Sequence, residues 1–235
     1  MNQHNVQKAY LKFFADKSGK VWVYSKAGGR PILKSPAECA AAENFQSSEL
    51  EFYQNRVIET PGIRALRASG TLSQREYEHI SMWMALHILR CQKARQELFE
   101  STADYETRFH EELSKERLFS QYYKYVYTHK IVEPDFAVTS DDPVIEFACG
   151  DFFVRGCAVS PHKLIFFSPH EGRLEHELGL HDFFNGMMWG APGERLYSHR
   201  PDLRVDHLSR IARDFDLRAV MEDVRFGVSA SGDTG

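Results

Sequence analysis

The sequence of 235 residues predicts an α+β fold, because its hydrophobic period changes along the chain. Between residues 72 and 100, apolar side chains recur at steps of three and four, the spacing of one face of a long helix. Between residues 136 and 167 the pattern becomes short strand-like runs separated by turns. We therefore expect an N-terminal β-hairpin, a helical bundle around a long central helix, and a C-terminal antiparallel sheet covered by helices.

The first elements are predicted from local residue types. Lys20–Ser25 is rich in β-branched and aromatic residues, which predicts a strand. Ile32–Lys34 follows a glycine-rich turn and is predicted to be the returning strand of a hairpin. Pro36 starts a short helix, since proline is favoured in a first turn. Glu49–Gly62 is charged, and a second short helix is expected at Ile63–Ser69.

The central helix begins at a capping box, in which Ser73 and Glu76 each bond to the other's backbone N–H. Two polar side chains, His87 and Arg95, lie on its apolar face, with Gln92 at the edge. Because buried polar groups need hydrogen-bond partners, we expect this helix to carry a polar network into the core.

A second helical region is predicted from Thr102 to His129, with an aromatic stripe at helical spacing. Tyr125 and Tyr127 fall off that stripe and are expected to be exposed. Exposed tyrosines are typical of protein interfaces, so these two are the candidate partner-binding residues.

The sheet follows a change of period after Pro134. Four strands are expected in an antiparallel meander, at Phe136–Thr139, Val144–Ala148, Phe152–Arg155 and Lys163–Phe167. Helices are predicted to follow at residues 178–189, 202–214 and 217–224. We expect one α+β domain over residues 1–226, with a helical part at about 36–130, a sheet part at about 134–200, and a flexible tail at 227–235.

Composition narrows the class of function. The net charge of −4 argues against broad, non-specific binding of nucleic acid, which needs a basic face, although a local basic patch stays open. The chain has no glycine-rich phosphate loop and no nucleophile elbow. Its four cysteines form no C-x-x-C pair, and no secretion signal or membrane-length apolar run occurs, so we expect a cytoplasmic protein without a membrane partner.

An ordered series of short motifs resembles an uncharacterised, mostly microbial family, the domain of unknown function DUF4238. The matching residues are His4 with Tyr10, Leu11 and Phe14; Val21–Tyr24; Ile58 and Glu59; Gln92 and Arg95; Ser140, Asp141 and Pro143; Val159–Pro161; Asn185; and Tyr197 with Ser198. Gln7 stands where the family has proline. The resemblance implies a shared α+β fold and a polar cluster of His4, Glu59, Arg95, Asp141 and Asn185, but no activity.

Two classes of function remain. The first is a non-catalytic protein that binds and regulates or inhibits a host protein complex, for instance in a phage–host or mobile-element setting, and that needs no cofactor. The alternative is a metal-dependent nuclease or other hydrolase, with His4, Glu59 and Asp141 as ligands or acid–base groups and Arg95 on a phosphate. Mg²⁺ or Mn²⁺ belongs to this alternative alone. We favour binding to a protein, and the sequence does not determine the oligomeric state.

Overall fold

The computed structural model describes residues 3–4, 7–42, 47–68, 72–90, 101, 103–107, 128–149, 152–168, 180–191 and 193–214. Helices and antiparallel strands both occur throughout these ranges, so the predicted α+β class is confirmed. The expected helix at 217–224 and the expected tail at 227–235 lie outside the described residues.

Most helices of the described residues lie in the first half of the chain. Their bounds are α1 Lys8–Leu11, followed by a 3-10 turn Lys12–Phe14; α2 Pro36–Ala40; α3 Ser48–Gln54, followed by a π turn Asn55–Glu59; α4 Thr60–Arg67; α5 Gln74–Arg90; α6 Leu180–Gly190; and α7 Val205–Asp214. A further helical turn lies at residues 103–107. The segment that the sequence marks only as charged therefore forms α3 and the π turn, because Ser47 caps α3 by accepting a hydrogen bond from the N–H of Leu50 (3.3 Å).

The central helix α5 begins as predicted. The N–H of Ser73 donates to the Glu76 carboxylate (2.8 Å), and the N–H of Glu76 donates to the Ser73 hydroxyl (3.3 Å), which completes the capping box. Residues 91–100, the expected continuation of the helix with Gln92 and Arg95, lie outside the described part of the chain.

Within the described residues, ten strands form three antiparallel sheets. Their bounds are β1 Gln3–His4, β2 Val21–Ser25, β3 Ile32–Lys34, β4 Ala41–Ala42, β5 Thr128–Val132, β6 Thr139–Ser140, β7 Val144–Cys149, β8 Phe152–Ser160, β9 Lys163–Ser168 and β10 Arg195–Ser198 among the described residues. The strand orders are β1-β4, β3-β2-β10-β6 and β5-β9-β8-β7.

The predicted N-terminal hairpin exists but does not stand alone. Strand β2 pairs with β3 on one side, as expected, and with β10 on the other, where Tyr197 lies opposite Val23. Strand β6 then joins β10. The free edge of β2 is thus covered by a strand far along the chain, which local residue patterns do not predict.

The C-terminal sheet contains the predicted strands β7, β8 and β9, and two expectations about its boundaries are wrong. The expected helix does not extend to His129, because Thr128 and His129 belong to β5 and pair with Ser168 and Phe167. The expected strand Phe136–Thr139 is replaced by β6, which lies in the other sheet. In both places long-range pairing with another strand decides the conformation.

Tyr10 joins three parts of the core. Its fully buried hydroxyl lies 3.0 Å from the hydroxyl of Thr139 in β6 and donates to the carbonyl of Ala158 in β8 (2.5 Å). Its ring lies 5.0 Å from the ring of Trp83 in α5, between centroids. The first helix therefore holds both larger sheets and the central helix in one core.

We expect Gly62→Ala to lower the free energy of unfolding by about 1–3 kcal/mol, as overpacking does. A Cβ atom at residue 62 in α4 would lie 2.5 Å from the Cβ of Trp83, so α4 and α5 would have to separate. Urea unfolding followed by circular dichroism measures the change. Arg64→Ala, at an exposed position of the same helix, is the control, and its free energy of unfolding should stay within about 0.5 kcal/mol of that of the wild type. Equal stabilities for wild type, Gly62→Ala and Arg64→Ala would contradict the close packing of α4 on α5.

Candidate functional site

Helices α3 and α4 are joined by the π turn without an intervening loop. The N–H of Thr60 donates to the carbonyl of Asn55, a bond that spans five residues. The wider turn brings residues five apart, here Gln54 and Glu59, to the same side, and π turns are often found at functional sites. The π turn therefore presents polar side chains to the interior and a different set to the surface.

On the interior side, Arg90 of α5 connects the two ends of the π turn. Its guanidinium group donates to the carboxylate of Glu59 through Nη1 and to the side-chain oxygen of Gln54 through Nη2. The exposed fractions of Arg90, Glu59 and Gln54 are 3%, 4% and 0%. Charges this deeply buried need a partner of opposite sign and hydrogen bonds, and this arrangement supplies both.

His87 lies one turn before Arg90 on α5 and is only 1% exposed. Its ring lies 4.4 Å from that of Trp83, and neither ring nitrogen has a hydrogen-bond partner within the described part of the chain. Burial, together with the charge of Arg90, holds the pKa of His87 well below its ordinary value, so the imidazole is neutral. We call Gln54, Glu59, His87 and Arg90 the Arg90 cluster.

On the outer side, the same helices carry exposed apolar and basic side chains. Phe52 is 67% exposed, and Tyr53 and Val57 are each 38% exposed. Phe52 is also part of the lining of a groove of ≈ 420 Å³, whose lining residues are Phe52, Asn55, Arg56, Thr60, Pro61 and Arg64. We call Phe52, Tyr53, Arg56, Val57 and Arg64 the Phe52 surface. Exposed apolar groups beside arginine are typical of binding surfaces.

Asp141, a predicted site residue, connects two strands. Its carboxylate accepts hydrogen bonds from the N–H of Glu194 (3.2 Å) and the N–H of Arg195 (3.0 Å), and so ties the end of β6 to the start of β10. Burial raises the pKa of Asp141, while the bond from the Arg195 N–H and the charge of Lys26 lower it in part. These contacts describe a carboxylate that holds backbone in place.

Asn185, also predicted for the site, is fully buried in α6. Its Oδ1 accepts from the N–H of Val138 (3.0 Å), and its Nδ2 donates to the carbonyl of Phe136 (3.2 Å). Within the described residues, no hydrogen bond joins Asn185 to Glu59 or Asp141. The three described side chains of the predicted cluster therefore have separate sets of partners.

The other predicted residues are described in part or not at all. His4 lies in β1 opposite Ala41 of β4, and its side chain lies outside the described parts of the structure. Arg95, Tyr125 and Tyr127 lie outside the described residues altogether.

Neither Arg90 nor Phe52 was among the site residues predicted from the sequence. Arg90 follows Trp83 by seven residues, or two helical turns, and therefore belongs to the same buried face. The polar network expected on this face could have included it. Phe52 follows the cap residue Ser47 and the acidic first turn of α3, a combination that predicts the start of a helix but not which of its side chains are exposed.

Comparisons with protein-family models, with curated proteins and with solved structures find no match to this chain. The resemblance to DUF4238 therefore stays a prediction. Among the residues that the structure describes, no helix has the length and apolar character needed to cross a membrane. Within the same residues, no group of three or more His, Cys, Asp or Glu side chains is placed to hold a metal ion.

We expect Arg90→Met to destabilise the protein by about 3–5 kcal/mol, because Glu59 would be left as an unpaired buried charge. The double variant Arg90→Met with Glu59→Met should recover a large part of this loss, since buried ion pairs can be replaced by apolar groups at little cost. Urea unfolding at constant pH measures both. A loss below about 1 kcal/mol in the single variant would contradict the role given to the ion pair.

The lowered pKa of His87 predicts a pH dependence of stability. The unfolded chain binds a proton at this histidine below about pH 6.5, whereas the folded chain does not until its lower pKa is reached. The contribution of His87 to the free energy of unfolding is therefore largely complete above about pH 6.5. Below this pH it falls by up to about 1.4 kcal/mol per pH unit, until the lower pKa of the folded state is reached. Between about pH 7.5 and about pH 5.5, His87→Leu should therefore remove about 1.4 kcal/mol in total from the pH-dependent loss of unfolding free energy, as measured by urea unfolding. An unchanged slope would mean that His87 is protonated in the folded state.

Proposed function

We propose that this is a non-catalytic protein-binding protein, and that the Phe52 surface contacts its partner. The observation that carries the proposal is the exposure of three apolar side chains, Phe52, Tyr53 and Val57, on helical segments whose interior side holds a buried polar cluster. Phe52 also lines a groove together with two arginines. Aromatic residues and arginine dominate the energetic centres of protein interfaces.

The Arg90 cluster supports this proposal through rigidity. Gln54 and Glu59, at the two ends of the π turn, are both held by Arg90 from α5, so the backbone that carries Arg56 and Val57 is anchored at both ends. Phe52 and Tyr53 directly precede the anchored Gln54 in α3. A surface that is ordered before binding loses less entropy when a partner docks on it. Binding sites are built more accurately on such supported helices than on loops.

We further propose that the protein acts by occupying a surface of a host protein complex as a regulator or inhibitor, in a setting such as phage–host conflict. Occupancy requires shape and charge complementarity and no chemical step. The arginines of the groove favour a partner with acidic side chains next to an apolar patch. Tyr125 and Tyr127 remain candidate binding residues of the same proposal.

The metal-dependent nuclease gains no specific support from the described candidates. Both oxygens of the Asp141 carboxylate accept backbone hydrogen bonds, and Glu59 is paired with Arg90 in the interior. A metal ligand must offer a lone pair toward an open position. This alternative therefore stays a prediction from the sequence.

The test is affinity capture from the native host lysate with wild type, Phe52→Ser and Ile32→Ser, with identification of the captured proteins. Phe52 and Ile32 are matched, because both are large exposed apolar residues, at 67% and 57% exposure. We expect wild type and Ile32→Ser to capture the same complex and Phe52→Ser to lose at least about ten-fold of it, as for an interface hot spot. Equal capture by all three proteins would refute the Phe52 surface as the binding site.

A further inference from the structure

We propose that the Phe52 surface also pairs with the same surface of a second copy of this chain, through α3 and the π turn arranged antiparallel about a two-fold axis near Phe52 and Tyr53. The inference rests on the proposed function, because it assumes that this surface binds proteins. It adds a form of regulation: self-pairing covers the surface, so a partner must compete with the second copy.

The order of charges along this segment makes it complementary to itself. Glu49 lies three residues before Phe52, Arg56 lies three residues after Tyr53, and both charged side chains are exposed. A two-fold axis between residues 52 and 53 therefore places Glu49 of each copy opposite Arg56 of the other, twice. In each copy, Glu49 also lies in the first turn of α3, where the helix dipole favours a negative charge.

The centre of this arrangement is apolar. The axis places Phe52 of one copy against Tyr53 of the other, and both rings are solvent-exposed in the single chain, by 67% and 38%. Burying aromatic rings against each other supplies the main favourable free energy, and the flanking ion pairs set the antiparallel register. The groove between Arg56 and Arg64 receives the acidic end of the opposite helix.

A second groove on the molecule shows why a groove with two arginines is not sufficient. It has a similar volume, ≈ 410 Å³, and is lined by Leu203, Arg204, Val205, Asp206, His207 and Arg210. Asp206 already supplies a carboxylate there, and none of the large exposed hydrophobic residues of the described chain lies beside it. Of the two grooves, only the one at the Phe52 surface is lined, within the described residues, by a large exposed apolar side chain and by arginines without a carboxylate. Arg210 therefore offers a matched control.

The contact of one short helical segment with its copy is small, and small interfaces belong to transient complexes. We therefore expect a monomer–dimer equilibrium that depends on concentration. Association should stop at the dimer, because a two-fold interface uses the same surface on both copies and leaves none free for a third. The ion pairs are solvent-exposed at the rim, so salt should weaken the dimer.

Sedimentation equilibrium of the full chain between about 1 µM and about 300 µM tests the proposal, over the range of a weak association. Wild type should shift from monomer toward dimer as concentration rises. Glu49→Arg and Arg56→Glu should each stay monomeric, because like charges then face each other twice. An equimolar mixture of these two variants should form a dimer again, since both facing pairs become opposite in charge. Arg210→Glu changes the net charge as Arg56→Glu does and should dimerise as the wild type does.

The inference would be overturned if the wild type stayed monomeric or formed assemblies larger than a dimer. It would also be overturned if the mixture of variants failed to dimerise, or if Arg210→Glu lost dimerisation to the same extent as Arg56→Glu. These outcomes are separate from the test of the proposed function. Monomeric wild type with partner capture that depends on Phe52 leaves the proposed function intact and removes the self-pairing. If the charge-reversal variants dimerise only when mixed, as expected, but no host partner is captured, the Phe52 surface binds only its own copy, which keeps the self-pairing and removes the host partner.

Discussion

The buried pairing of Arg90 with Glu59 and Gln54 is the interaction on which the arrangement of this protein's helices depends. A charged guanidinium group in the interior needs both a counter-charge and further acceptors, and here the two ends of the π turn provide them. Their positions fix α3 and α4 against α5. The outer side of α3 and of the π turn, with Phe52 on α3 and Val57 on the turn, faces solvent.

This polar contact works together with close packing on the same helices. Gly62 of α4 lies directly against Trp83 of α5, and the Trp83 indole also donates to Gln7 (3.3 Å) and packs on Tyr10. Tyr10 in turn reaches both larger sheets. The exposed surface is thus the outer layer of a well-packed region, and its shape follows from contacts in the core.

The candidate site shows where reasoning from sequence succeeds. The position of His87 on an apolar helix face predicted a buried polar group, and the residue is indeed buried. Glu59 was expected to cluster with His4, Arg95, Asp141 and Asn185, whereas in the structure its described partner is Arg90. Its partner Arg90 was not singled out, because a helical period shows which residues share a face but not where another helix crosses that face. The separate contacts of Asp141 and Asn185 likewise depend on which distant backbone segments meet them.

The sequence by itself determined the α+β class, the capping box of α5 and the pairing of β2 with β3, since these follow from hydrophobic period and from bonds between near neighbours. Only the tertiary structure decided that β10 completes the sheet of β2, that residues 128 and 129 form a strand, and that the ends of the π turn meet Arg90. Strand pairing and the compensation of buried charge join residues far apart in the chain. No local preference encodes such contacts, because their free energy exists only when the whole core has formed.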